Sequence, residues 1–321
     1  MITLQEYSAN VQDKIDTSAI IDELRKSNAL LEALTFDDTV TATGGSFAYG
    51  YVRKTQESGA AFRKVGEEYE KSDAKKETKV SNVAILGGEY EIDRAIANAS
   101  ANTFADERDF QATEKVKAVK ATFNNAVING VGGEDNADFE GLNSILKGTA
   151  TEYTSEVDVS TSALMDANYS ALDDEIAGVM AEMDGEADFI LVNTKMKNKL
   201  VAMAKRLGQY QVTMNEVGAK IEKYGNTTIL DMGAKCGSND PVIAIAEDGT
   251  TDIYFVRLGR DGFHGITLNG KMFDIVTPEF GVIGATKVTG LVEMYAGTVL
   301  KSTKAAAVLR GVKVGTPKAQ G

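Results

Sequence analysis

A highly charged segment near the N-terminus places the strongest constraint on the fold. Residues 53–79 carry eight basic and six acidic residues, few large apolar side chains, and glycines at positions 59 and 66. Such a segment buries too little apolar surface to fold by itself. The runs on either side, SFAYGYV and TKVSNVAIL, have the composition of β-strands. We therefore predict a long two-stranded ribbon that projects from the body, with a surface loop as the alternative. Because an isolated hairpin is marginally stable in water, a projecting ribbon needs a surface to lie on.

The charge of the chain is acidic and unevenly spread. The 321 residues have a formal net charge of −13, and 43% of them are hydrophobic, enough for the cores of about two domains. Residues 1–40 have a net charge of −5, whereas residues 281–321 have +5. These ends attract each other within one chain or between copies, or they are solvated patterns without a role. A net-acidic chain is not expected to hold nucleic acid through its phosphates.

The sequence shows no sign of export or membrane insertion. Its first residues lack a basic region followed by an apolar run, and no apolar stretch approaches the roughly 20 residues that span a bilayer. The single cysteine, Cys236, excludes an internal disulfide and a cysteine-based metal site. We therefore expect a soluble protein made in the cytoplasm.

Two segments of the N-terminal half have helical periodicity. Residues 19–34 place their large apolar side chains near one face of a helix. Residues 104–128 predict a longer helix in which acids precede bases, the order that the helix dipole favours, and Gly130 is suited to end it. The apolar stripe of this longer helix consists of Ala112, Val116, Val119, Phe123 and Val127.

The C-terminal half predicts a mixed α/β region. Thr194 is expected to cap a helix that ends at Gly208, and residues 285–314 are expected to form a paired hairpin with an extended exit. Strands are predicted for the runs ADFILVN, TTILDM, PVIAIAEDG, TDIYFVRLG and KMFDIVTPEF.

The glycine- and acid-rich run NGVGGEDNADFEGLNSIL, residues 129–146, has three possible roles. A phosphate-binding turn follows a strand and opens a helix, whereas this run follows a helix and lacks GK[ST]. A calcium loop needs acids at fixed offsets that this run does not have. A junction between two structural units is the favoured interpretation.

The chain contains no arrangement of residues that predicts catalysis. His264, the only histidine, follows Asp261, but no GxSxG motif is present, so we interpret it as an incidental histidine in a turn. Cys236 has a neighbouring lysine but no evident general base, so a plain thiol is favoured. We predict no catalytic, cofactor-binding or metal-binding residue.

Three segments, taken in order, resemble one protein family. They are AVINGVGGEDNADFEGL (126–142), ADFILVNTKMKNKLVAMAKRLG (187–208) and VEMYAGTVLKSTKAAAVLRGVKV (292–314). With the charged ribbon ahead of them, they resemble the major capsid protein of tailed bacteriophages, which has the Hong Kong 97-type fold. The resemblance extends over essentially the whole chain.

The resemblance implies an α+β fold with four kinds of part. Residues 1–40 would be an N-terminal arm and residues 41–82 an extended β-hairpin loop. Residues 83–140 would form a peripheral domain with a long spine helix. Residues 141–275 would form an axial domain, and residues 276–321 the return strands of the peripheral domain and a C-terminal tail.

The resemblance also implies a function and partners. The chain would form pentamers and hexamers of an icosahedral virion shell that encloses double-stranded DNA without sequence-specific binding, and it would not contact a membrane. A portal and decoration proteins are implied partners. A separate scaffolding protein is expected, because the first recognisable arm begins almost at Met1. The alternatives are an encapsulin-like bacterial nanocompartment shell and an α/β enzyme.

Cationic residues of the ribbon are the candidates for contacts between subunits. They are Arg53, Lys54, Arg63 and Lys64. Some relatives cross-link a loop lysine to an asparagine of a neighbour. Nothing in this sequence selects one ribbon lysine, so no cross-link is predicted.

Overall fold

The structure is a computed structural model. It describes residues 29–40, 47–56, 58–96, 107–133, 135–208, 211–214, 220–270, 272–276 and 286–315. Within these residues the strands form three sheets, of five, seven and two strands. Most of the helix predicted for residues 19–34 lies outside the described residues.

The elements follow one another along the chain in mixed α/β order. They are α1 (Ala29–Ala33), β1 (Phe36–Val40), β2 (Ala48–Gln56), β3 (Lys75–Asn82), β4 (Ala84–Asp93), α2 (Glu107–Asn129), α3 (Leu142–Ile145), β5 (Glu152–Thr154), α4 (Ser162–Ala181), β6 (Phe189–Val192), α5 (Thr194–Arg206), β7 (Gln211–Met214), β8 (Lys220–Tyr224), β9 (Thr227–Asp231), β10 (Thr250–Val256), β11 (Phe263–Leu268), β12 (Phe273–Val276), β13 (Lys287–Leu300) and β14 (Ala306–Lys313).

The five-stranded sheet is built around β13 and carries the long helix α2 on one face. β13 pairs antiparallel with β4, β11 and β12, and β1 adds a parallel edge beside β11. Side chains alternate along β13, and Val288, Val292 and Met294 share a core with the buried stripe of α2. All five residues predicted for that stripe are buried. The amphipathic helix is therefore confirmed.

The seven-stranded sheet has the order β5-β14-β10-β6-β9-β8-β7 and supports α4 and α5. A second core joins the two helices to its central strands, with Leu172, Met196 and Phe255 buried in it. The predicted strand within residues 187–193 is confirmed as β6. The cap of α5 is Asn193 and not Thr194, because the Asn193 side chain accepts a hydrogen bond from the Met196 amide at 2.9 Å.

The last two strands do not form the predicted hairpin. β13 lies in the five-stranded sheet and β14 in the seven-stranded sheet, and a short 3₁₀ turn at Thr303–Ala305 carries the chain from one to the other. The run PVIAIAEDG forms only isolated bridges and is not a strand. Both predictions were wrong because local patterns do not specify which distant strand supplies the hydrogen bonds.

Neither of the two larger sheets is built from one consecutive stretch of the chain. β11 and most of β12 fall within 141–275 but lie in the five-stranded sheet. β14 falls within 276–321 but lies in the seven-stranded sheet. The chain therefore crosses between these two sheets more than once.

Most of the glycine- and acid-rich run is the loop that joins α2 to α3. Gly132 and Gly133 have φ values of 64° and 94°, which side chains with a Cβ resist. The Asp138 carboxylate accepts hydrogen bonds from the amides of Val131 and Gly132 at 3.0 and 3.1 Å and closes the loop. Phe139 then returns to the core against Phe123, with ring centroids 5.9 Å apart. The carboxylate of Asp138 thus shapes a junction, as the sequence predicted.

We predict that Gly141→Ala destabilises the protein by about 2–3 kcal/mol, because an added methyl group has no room among the backbone atoms around this glycine. A Cβ at Gly141 would lie 2.6 Å from the Ala126 oxygen, 2.7 Å from the Gly130 nitrogen and 2.8 Å from the Ile128 oxygen. Gly178→Ala is the control, since that exposed position in α4 has nothing within 4 Å; it should gain about 0.5–1 kcal/mol. Urea unfolding measures both, and equal stability of Gly141→Ala and the native chain would contradict this view of the loop.

Candidate inter-subunit surface

The charged segment forms a two-stranded ribbon, as predicted. Among the described strands, β2 and β3 pair only with each other, antiparallel, from Ala48↔Asn82 to Gln56↔Lys75. Side chains alternate between two faces along each strand. One face turns towards the five-stranded sheet and the other turns away from it.

The inner face of the ribbon is fastened to the body of its own chain. The Tyr49 hydroxyl donates to the Asp37 carboxylate at 3.0 Å. Arg53 donates to the carbonyl oxygens of Leu300 at 2.7 Å and Lys301 at 3.1 Å. These bonds, together with the Ser81 hydroxyl on the Thr298 carbonyl at 3.1 Å, fix the direction in which the ribbon leaves the body.

The tip of the ribbon, residues 58–74, is exposed throughout. Phe62 and Val65 are fully exposed, although burying such side chains contributes about 1.5–3 kcal/mol each. The tip has local order: Arg63 lies over the Tyr69 ring at 5.2 Å and donates to the Glu67 carbonyl at 3.1 Å. An ordered projection that presents large apolar side chains to solvent is typical of a surface that another molecule covers.

The four predicted contact residues fall into three situations. Arg53 is partly buried against its own chain. Lys54 lies in β2, and its side chain is outside the described part. Arg63 and Lys64 lie at the exposed tip, where the Lys64 amide donates to the Glu67 carboxylate at 3.2 Å. Phe62 was not among the predicted contact residues, although an aromatic side chain within a charged run is a usable signal.

His264 is not in a turn, which corrects the sequence interpretation. It lies in β11, fully buried beneath the ribbon, with the edge of its ring against Tyr49 at 5.9 Å. Neither ring nitrogen has a hydrogen-bond partner among the described residues. Burial, and then the nearby Lys301 ammonium, lower the pKa of His264 below its usual 6.5; the Gly262 backbone and Asp37 oppose the shift only partly.

The buried histidine predicts a pH dependence of stability. Because its folded pKa is below the unfolded value, the unfolded chain binds the extra proton as the pH falls below 6.5. The contribution of His264 to the free energy of unfolding therefore has its full value above that pH. Below that pH it is lost, by up to about 1.4 kcal/mol per pH unit. We expect the free energy of unfolding in urea to change less between about pH 7 and about pH 5 in His264→Phe than in the native chain. Parallel curves for the variant and the native chain would contradict the assignment.

No group of three or more His, Cys, Asp or Glu residues in the described part of the chain is placed to hold a metal ion. Cys236 is exposed. The helices within the described ranges are all too short or too polar to span a membrane.

No protein-family model matches the chain, and no curated protein does. Several solved structures do resemble it. The holo-SrpI encapsulin complex from Synechococcus elongatus PCC 7942 is 14% identical with a TM-score of 0.59, over 98% of this chain and 96% of that one. The structure from Mycobacterium phage Bobi is 11% identical with a TM-score of 0.58, over 90% of this chain and 91% of that one. The satellite phage P4 procapsid, whose structure includes the size determination (Sid) protein, is 11% identical with a TM-score of 0.53. The match covers 98% of this chain and 96% of that one.

These neighbours agree with one another in type of fold. They match nearly the full length of both chains, so the similarity concerns the whole architecture and not one shared motif. The protein has the Hong Kong 97-type capsid fold, and the resemblance found in the sequence is confirmed at the level of fold.

Proposed function

We propose that the protein is the major capsid protein of a tailed bacteriophage, which self-assembles into an icosahedral shell around double-stranded DNA. The observation that carries the proposal is the ordered ribbon with an exposed apolar tip, on a fold shared with phage capsids and procapsids. Each ribbon covers a neighbouring copy, and such head-to-tail contacts close into rings and shells. Many modest contacts per subunit make a shell far more stable than one pair.

The parts of the fold take roles within this proposal. The seven-stranded sheet with α4 and α5 forms the axial domain, which clusters around five- and six-fold axes. The five-stranded sheet with α2 forms the peripheral domain, and residues 41–82 form the extended loop. Residues 1–40 serve as the N-terminal arm. The cations at the ribbon tip, Arg63 and Lys64, contact the neighbouring copy.

The charge of the chain fits a container for DNA. A net charge of −13 gives a wall that repels phosphates at short range, within a Debye length of about 10 Å. Such a lining leaves the genome free to be packed and released. The shell would be made in the bacterial cytoplasm and end in the virion, with scaffolding, portal and decoration proteins as further partners.

A nanocompartment shell is the second candidate function. The similarity to the Synechococcus encapsulin, with a TM-score of 0.59, favours it. Both candidates use the same self-association and differ in the contents of the shell.

The contents of particles isolated from the native source decide between the candidates. Nuclease-resistant double-stranded DNA in the particles supports the phage assignment. Particles that hold a second protein and no DNA support the nanocompartment. A soluble monomer that turns over a small molecule would contradict both.

A further inference from the structure

An Asn-Gly pair, Asn269-Gly270, lies in the turn between β11 and β12. These two strands pair antiparallel with successive stretches of β13, and both residues of the pair are exposed where the chain turns between them. Their φ values are 51° and 70°. Asparagine and glycine adopt this left-handed region more readily than other residues do. The fold therefore presents an Asn-Gly pair to solvent at a tight turn.

An Asn-Gly pair can modify itself without an enzyme. The glycine amide nitrogen, once it has lost its proton, attacks the carbonyl carbon of the asparagine side chain. A carbon–nitrogen bond forms, the bond to the side-chain nitrogen breaks, and ammonia leaves. Water then opens the resulting five-membered succinimide at either carbonyl and gives aspartate or isoaspartate. Glycine favours the reaction because it has no side chain to hinder the close approach.

The second Asn-Gly pair of the sequence, Asn129-Gly130, is held by the fold. The Asn129 side-chain amide donates to the Val242 carbonyl at 2.8 Å, which fixes the carbonyl carbon that would be attacked. The Gly130 amide donates to the Ala126 carbonyl at 2.9 Å at the end of α2, and Gly130 is buried. The attacking nitrogen is therefore already engaged, and reaction requires the end of the helix to open.

We propose that Asn269 is a site of spontaneous deamidation in the folded subunit and that Asn129 is protected from the same reaction. The modification is imide formation within the chain, followed by hydrolysis, and water is its only co-reactant. Both pairs have the same reacting groups, so the fold alone selects between them. The inference does not depend on the proposed function.

The products would disturb the edge of the five-stranded sheet. The Asn269 amide donates to the Val40 carbonyl at 2.8 Å and so holds the end of β1 beside β11. Isoaspartate adds a methylene group to the main chain at this point and displaces that amide. Either product also adds a carboxylate near Asp38, whose Oδ2 lies 3.8 Å from where a Cβ on Gly270 would be. Like charges repel, so conversion should loosen β1.

Peptide mapping of the folded full-length protein, incubated at mildly alkaline pH, tests the site. The tryptic peptide 261–271 contains one asparagine and no glutamine, so any replacement of ammonia by water in it belongs to Asn269. Fragment ions of the peptide 121–147 report Asn129. Asn269 should convert at least about tenfold faster than Asn129 in the folded protein, and the two rates should agree within about threefold in urea. An unmodified peptide 261–271, in an incubation that converts the unfolded chain, would overturn the proposal. Equal rates at the two sites in the folded protein would overturn it as well.

Hydrogen exchange tests the consequence for β1. Exchange at Phe36–Val40 should be at least about threefold faster in the converted protein than in fresh protein. Asn269→Gly is the matched control, because glycine keeps the positive φ and cannot form the ring. The same incubation should leave exchange in this variant unchanged. Unchanged exchange in converted native protein would refute the loosening of β1.

Discussion

A chain in which residues 57–74 are replaced by Asn-Gly is expected to fold normally and to form no closed shells. Asn-Gly favours the tight turn that joins two antiparallel strands, so Gln56 and Lys75 can be linked without disturbing the paired strands. The bonds of Tyr49 and Arg53 to the body remain, so thermal stability should change little. What is lost is the apolar tip with Phe62 and Val65. Interface energy is concentrated in a few buried anchors, so their removal should abolish assembly.

Electron microscopy and the sedimentation coefficient of the shortened chain measure this effect. A full-length variant with Phe62→Ser and Val65→Ser should show the same defect, which assigns it to the apolar side chains. Val131→Ser, a control at an exposed apolar residue outside the ribbon, should assemble as the native chain does. Native-like shells from the shortened chain would refute a role for the tip.

Arg310→Met is expected to cause the largest loss of subunit stability, about 2–4 kcal/mol. Arg310 in β14 pairs with Glu152 of β5 and, at 2.9 Å, with Asp252 of β10; it also donates to the Asn143 side chain of α3 at 2.8 Å. The Gly148 amide, and then Arg310, hold the pKa of Glu152 below its usual value. Removing the guanidinium leaves the carboxylates of Glu152 and Asp252 without their shared cation, in a site about one-quarter exposed.

Lys117→Met is the matched control for this prediction. It removes an exposed pair with Glu114 at 2.8 Å in α2, which should cost at most about 0.5 kcal/mol. Arg310→Lys should fall between the two, because an ammonium cannot bond several acceptors in one plane. Urea unfolding gives all three values. Equal losses for Arg310→Met and Lys117→Met would show that the network contributes nothing special.

Features set by local pattern could be predicted from the sequence. The stripe of α2 follows from spacings of three and four, and the ribbon follows from strand-like runs around a segment too polar for a core. The junction loop follows from glycines that come after a helix. In each case the residues that decide the structure are neighbours in the chain.

Features set by distant contacts could not be predicted. Sequential strands usually pair, so β13 and β14 read as a hairpin, but their partners lie in two different sheets. The way the ribbon is fastened to the body could not be predicted for the same reason. That Arg53 bonds to the Leu300 carbonyl of its own chain depends on contacts between strands far apart in sequence.

The mass of the purified protein over a wide concentration range tests the account most directly. If the ribbon tip is buried only against other copies of the chain, sedimentation velocity should show a large, uniform closed particle in equilibrium with small clusters. A single species of 34.3 kDa at every concentration, with the tip of the ribbon as protected from hydrogen exchange as the core, would contradict it.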